Sequence, residues 1–245
     1  MLAFGTQRLP ATPEPVLASA VLALALGIPL GVHTGLRRDS WLSRLVLTLS
    51  LVGVSLPTFV IGIGLIYVFA VTPQALPSYG RGEVVRLGWW TTGFLTASGW
   101  RAIVLPAVTL CLFQLALILR LVRAGMPGVP RTDHIRFARA RGRPDRAIHF
   151  GHALRNTLVP VVTVAGLQIG SLIALSIVTE TVFRWPGMGF LLIQAVQFAN
   201  IPIMAAYLAM VALFFVVINP IIDLLYDVVD PLPRPDRALA AGRGA

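Results

Sequence analysis

The chain has 245 residues, 56% of them hydrophobic and only 12% charged, with a mean hydropathy of +0.81. Soluble domains carry about twice that share of charge, so the composition is that of an integral membrane protein. All twenty basic residues are arginine, which excludes a P-loop ATPase and a Schiff-base enzyme, because both need a lysine.

The net charge of +10 fits two readings. One is a nucleic-acid binder; the other is arginine gathered in cytoplasmic loops. In so apolar a chain the second reading is taken, and no nucleic-acid partner is expected. Cys111 lies alone in an apolar run and forms no intrachain disulfide.

A membrane-crossing helix needs about 20 mostly apolar residues. Five segments qualify: Val16–Leu36, Leu45–Val71, Ala102–Leu119, Leu158–Phe183 and Ile201–Val229. The expected fold is therefore all-α and polytopic, since a lone strand in lipid leaves its backbone unsatisfied. Residues 1–12 form an atypical leading segment, 13–230 the membrane domain and 231–245 a polar tail. Arg8 followed by an apolar run also resembles a signal peptide, but the run is long for one and no clear cleavage site follows. It is read as a retained span.

Arginine counts give the expected orientation. The first connection has Arg37, Arg38 and Arg44, the third has nine between Arg120 and Arg155, and the tail has three. The other side has Arg8, Arg81, Arg86, Arg101 and Arg184. Fifteen against five predicts the N-terminus outside and the C-terminus in the cytoplasm. Trp89, Trp90 and Trp100 then fall in an outside loop at the membrane interface.

Breaks punctuate the spans: Pro57 in the second, Gly166 and Gly170 in the fourth, Asn219-Pro220 in the fifth. Proline removes a helix hydrogen bond and kinks the helix, while glycine lets helices approach. Such breaks serve packing, or they kink helices that line a path. Gln168, Ser171 and Ser176 are the polar candidates for that path, or for hydrogen bonds between helices.

The longest polar stretch, about residues 125–157, lies between the third and fourth spans. Gly142 ends one predicted helix and Pro144 starts the next. Ile135, Ala138 and Gly142 share a face flanked by Arg136, Arg139 and Arg143. Ala147, Phe150, Gly151 and Leu154 share the face of the second. Two short helices with small apolar faces and arginine rims suit a groove on a soluble partner.

At these residues the chain resembles a known family. The segment Ile135-Arg-Phe-Ala-Arg-Ala-Arg-Gly142 is similar to the coupling loop of ABC importer permeases of the dipeptide, oligopeptide and nickel group. Leu56-Pro57-Thr58-Phe59, Leu76-Pro77-Ser78-Tyr79-Gly80-Arg81-Gly82, His152–Pro160, Glu180–Gly189, Asp223–Tyr226 and Asp230-Pro231 match in order and spacing. The resemblance covers about Thr12 to Arg234.

The resemblance implies a type I importer core in the bacterial plasma membrane, paired with a second permease and two ATPase subunits. An external solute-binding protein would deliver the substrate. ATP and magnesium would bind the ATPases, and this chain would be a transport subunit with no cofactor and no enzymatic activity of its own. It makes Ile135, Arg136, Ala138, Arg139, Gly142, Ala147, Phe150 and Leu154 the residues that seat on the ATPase. Members of the family have a further N-terminal span, so Met1–Gln7 reads as a truncated or misassigned start. Pro13, Pro15, Met126–Pro130, Arg143, Ala199–Pro202 and Pro220 also depart from the family pattern.

Other chemistry is weaker. His149 and His152 are three apart but lack a carboxylate set, so no metal site is expected. No nucleophile elbow is present. No acid sits mid-span, which disfavours a secondary transporter. A truncated, inactive permease is the other alternative.

Overall fold

The computed structural model describes residues 8–88, 90–126 and 154–229. Seven α-helices run through them: α1 Pro13–Leu36, α2 Trp41–Ser55, α3 Thr58–Leu65, α4 Ala97–Gly125, α5 Leu154–Val182, α6 Met188–Gln197 and α7 Ile201–Val229. A π-helical stretch, Ile66–Val71, continues α3. A short antiparallel hairpin, β1 Val85–Leu87 and β2 Trp90–Thr92, lies before α4.

Segment chemistry explains the boundaries. Pro13 is the first residue of α1, where its missing N–H costs nothing. Ser40 starts α2 by accepting the Ser43 N–H at 3.2 Å, and Thr96 starts α4 by accepting the Gly99 N–H at 3.0 Å. The α6–α7 corner uses both devices. Ala199, at φ 50°, follows a Schellman closure in which Asn200 N–H donates to Ala195 O at 2.8 Å. Asn200 Oδ1 then accepts the Ile203 N–H at 3.4 Å and opens α7. The Ala199-Asn200-Ile201-Pro202 departure is thus a helix-to-helix turn.

Helices α1, α4 and the Pro160–Val182 part of α5 are each long and apolar enough to cross a membrane. Helix α7 occupies the fifth expected segment and continues through Pro220, so the break expected there does not end it. Its 29 residues extend about 44 Å.

The second expected span is corrected. The expected Leu45–Val71 helix is two helices, the chain bending by 111° between them, and the first of them begins earlier, at Trp41. Leu56 is forced into the extended region by the proline after it (φ −88°, ψ 137°). Pro57 is itself extended, at ψ 140°. Two successive non-helical residues make a corner, whereas a proline embedded in helix would make a kink.

Helix α4 is the most buried span, with α1 and α5 against it. A stripe of small residues on α1 makes this possible. A Cβ on Gly27, Gly31 or Gly35 would lie 2.8, 2.6 or 2.8 Å from the Ile118, Val122 or Met126 side chain. The two helices therefore pack almost backbone to side-chain base, as small residues at four-residue spacing allow. Ala23, Cys111, Val161 and Ala165 extend this core. On α5, the Phe215 ring of α7 lies over Gly170, so that glycine serves helix packing.

Candidate functional site

Three parts of the described molecule bear on function: a polar cap at the hairpin end, a carboxylate that fixes α6, and an exposed stripe on α5.

The cap begins with Glu14 in the first turn of α1. Arg81 Nε donates to Glu14 Oε2 at 2.8 Å, and the Gly93 N–H donates to Oε1 at 2.8 Å. Arg81 also reaches the hairpin, Nη1 donating to Thr91 Oγ1 at 3.0 Å and Nη2 to Thr91 O at 2.7 Å. Both side chains of the ion pair are buried, at 6% and 3% exposure. Gly80 and Gly82 on either side of Arg81 have φ of 83° and 69°, a region that glycine enters without cost. The Tyr79-Gly80-Arg81-Gly82 segment thus delivers the guanidinium to the start of α1.

The second part explains the Glu180–Gly189 motif. Glu180, at the end of α5, accepts the Phe190 N–H at 2.9 Å, the third residue of α6. A carboxylate at a helix N-terminus satisfies an orphan donor and complements the helix dipole. Gly187 leaves room for it, since a Cβ there would lie 2.4 Å from the carboxylate. The leading segment closes the corner: Thr12 Oγ1 accepts the Met188 N–H at 2.9 Å, and Trp185 Nε1 donates to Ala11 O at 2.8 Å. Trp185 and Phe183 are fully buried there.

The third part concerns the path candidates. Leu167, Ser171, Ala174 and Val178 are exposed and form one stripe of α5. Ser171 lies in it, and Gln168 is half-buried beside it. Ser176 is buried, and its hydroxyl donates to Ile173 O at 2.7 Å within its own helix. Of the coupling-loop candidates, Ile135, Arg136, Ala138, Arg139, Gly142, Ala147 and Phe150 lie outside the described residues, as do His149 and His152. Leu154 is the first residue of α5.

Sequence reasoning missed Glu14, Thr91, Gln114 and the α1 glycine stripe. Gln114 is a fully buried polar residue on α4 whose Nε2 lies 3.5 Å from Ala165 O. The stripe was readable as Gly27-x-x-x-Gly31-x-x-x-Gly35 in an apolar run. Glu14 and Arg81 are 67 residues apart, and nothing local in the sequence joins them.

Residues 27–235 match the family model described as "binding-protein-dependent transport system inner membrane component". The chain is 37% identical over 240 residues to the di/tripeptide transport system permease protein DppB of Pseudomonas aeruginosa, covering 93% of this chain and 71% of that protein. It is 36% identical over 240 residues to the probable D,D-dipeptide transport system permease protein DdpB of Escherichia coli, covering 91% and 69%. Among solved structures, an inward-facing form of the MetNI methionine ABC transporter superposes with a TM-score of 0.68 at 20% identity, over 90% of this chain and 94% of that one. That likeness confirms the type I importer permease fold expected from the resemblance. The chain belongs to the binding-protein-dependent transport system inner membrane component family and is the membrane-spanning permease subunit of an ABC importer.

Proposed function

We propose that this permease moves short peptides inward across the plasma membrane, driven by ATP hydrolysis on partner subunits. The observation that carries the substrate class is the 37% identity, over nearly the whole chain, to a di/tripeptide permease. The partners are a second homologous permease, two ATPase subunits that bind ATP and magnesium, and an external solute-binding protein. The hairpin end faces outside, and the Arg37 end faces the cytoplasm, as the arginine counts favour. Ser171 and Gln168 line the path on the exposed stripe of α5. Ser176, bonded within its own helix, contributes to packing.

The ATPase seat is the loop bearing Ile135, Arg136, Ala138, Arg139, Gly142, Ala147, Phe150 and Leu154. Gly142 lets the loop backbone lie close against the ATPase. The test is co-expression of this chain with its neighbouring permease and ATPase genes, followed by capture on a tag here. The native chain should bring the ATPase down and support ATP-dependent dipeptide uptake in vesicles. Gly142→Trp should lose at least tenfold in uptake, with ATP hydrolysis no longer stimulated by substrate. Normal uptake by that variant would remove Gly142 from the coupling role.

A further inference from the structure

The cap at the hairpin end borders a half-open cavity of about 550 Å³ lined by Arg8, Arg81, Gly82, Val84, Arg86, Thr91 and Pro186. Its volume is in the range of small-molecule sites. Among the described residues, three arginines line it and no acid does. The one carboxylate beside it, Glu14, has both oxygens engaged, one by Arg81 and one by the Gly93 N–H. Glu83 lies between two lining residues in the chain but is exposed and outside the lining.

The arginines are placed as well as present. Arg81 uses three of its five N–H groups on Glu14 and Thr91. Two remain on a guanidinium that is held rigidly at the cavity wall. In the hairpin, Arg86 pairs directly with Thr91, so their side chains leave the same face of the ribbon. That puts the exposed Arg86 on the side where Thr91 holds Arg81. The exposed Arg86 guanidinium, the two spare donors of Arg81 and the charge of Arg8 around one cavity match a carboxylate, which accepts charge-assisted hydrogen bonds from guanidinium.

We propose that this cavity binds the free C-terminal carboxylate of a short peptide at the outer mouth of the importer. The ligand assignment rests on the peptide reading and the orientation given above. A terminal carboxylate is common to every peptide whatever its side chains. The cavity offers those side chains little to select on, since Val84 and Pro186 are its only apolar walls among the residues named. The cavity would thus capture by backbone charge and leave sequence tolerance intact. An acidic side chain of the binding protein offers the same chemistry, and the test separates the two sources.

The assembled importer in nanodiscs is titrated with alanylalanine and with its C-terminal amide, followed by saturation-transfer NMR without binding protein, and a second arm measures docking of the empty binding protein. The free acid should bind. Arg86→Gln should weaken it about tenfold, the scale of a charged hydrogen-bonded contact, and Arg86→Lys should restore part of the loss. Arg86 is exposed, so neither substitution disturbs the core. The amide should bind more weakly and be indifferent to both. Equal binding of acid and amide, or an unchanged affinity in Arg86→Gln, overturns the proposal. So does a loss in Arg86→Gln confined to docking of the empty binding protein, which would assign the carboxylate to that protein. Uptake of alanylalanine by the native assembly is measured alongside. Its absence, with acid-specific binding intact, would sink the peptide substrate and leave a carboxylate site standing.

Discussion

Glu14 and Arg81 show what a single pair does in this molecule. Each is nearly inaccessible to water, so either charge left alone would be uncompensated. Removing one partner of a buried pair costs about 3–5 kcal/mol, whereas replacing both by apolar groups is often close to neutral. Glu14→Gln should lower the thermal midpoint of the purified chain by roughly 10 °C. It should also loosen the loop that Arg81 holds against α1. Glu14→Leu combined with Arg81→Met should recover part of the loss, although the Gly93 N–H and Thr91 carbonyl then lose partners. Intrinsic tryptophan fluorescence on heating reads all three proteins, with Trp185 buried beside the cap. A double variant that recovers none of the loss seen in Glu14→Gln would show that an uncompensated Arg81 charge is not what destabilises the single variant.

Between elements, the contact that the rest of the bundle depends on is α1 against α4. At Gly31 an added methyl would meet the Val122 Cβ at 2.6 Å and the Leu119 carbonyl at 3.1 Å. Neither is the free end of a flexible side chain, so the helices themselves would have to part. Gly31→Ala should therefore destabilise by about 1–3 kcal/mol, the range for overpacking, despite alanine's better helix propensity. Gly64 in α3 is the control. Nothing lies within 4 Å of its added methyl, so Gly64→Ala should be neutral or gain up to about 1 kcal/mol. The fraction of monodisperse protein surviving a heat step in detergent compares the two. Equal survival would mean that α1 and α4 are not in close packing. The spans were legible in the sequence because lipid demands length and apolarity, both local properties. The corner at Leu56-Pro57 was legible as a kink only, since its angle depends on two residues leaving the helix together. Helix α6 was not read from the sequence: its ten residues are too few for a span, and its start is set by Glu180, Thr12 and Gly187, drawn from three segments.

At the scale of the whole molecule, the bundle buries α4 and leaves broad apolar faces on α2, α3 and α7, with Leu49, Ile63, Leu208, Leu213 and Val216 all exposed. Those faces require lipid or another protein surface. They do not say which end is outside, because an apolar belt is symmetric about the membrane plane. Only charge breaks that symmetry. Arg81, Arg86 and Arg101 belong to the hairpin end, and Arg37 and Arg38 sit at the opposite turn between α1 and α2. Nine arginines between Arg120 and Arg155 and three in the tail carry most of the asymmetry, and thiol labelling tests the orientation they predict. The chain suits the measurement, because its one cysteine, Cys111, is buried and gives no background to a thiol reagent. Leu87→Cys places a thiol at the hairpin, where the native side chain is 54% exposed. Arg38→Cys places one in the exposed α1–α2 turn. A membrane-impermeant maleimide applied to intact spheroplasts should label the first variant and not the second. Permeabilisation should make both reactive. The reverse pattern would turn the protein over, put the arginine-lined cavity in the cytoplasm and remove the ground for a substrate carboxylate arriving there from outside.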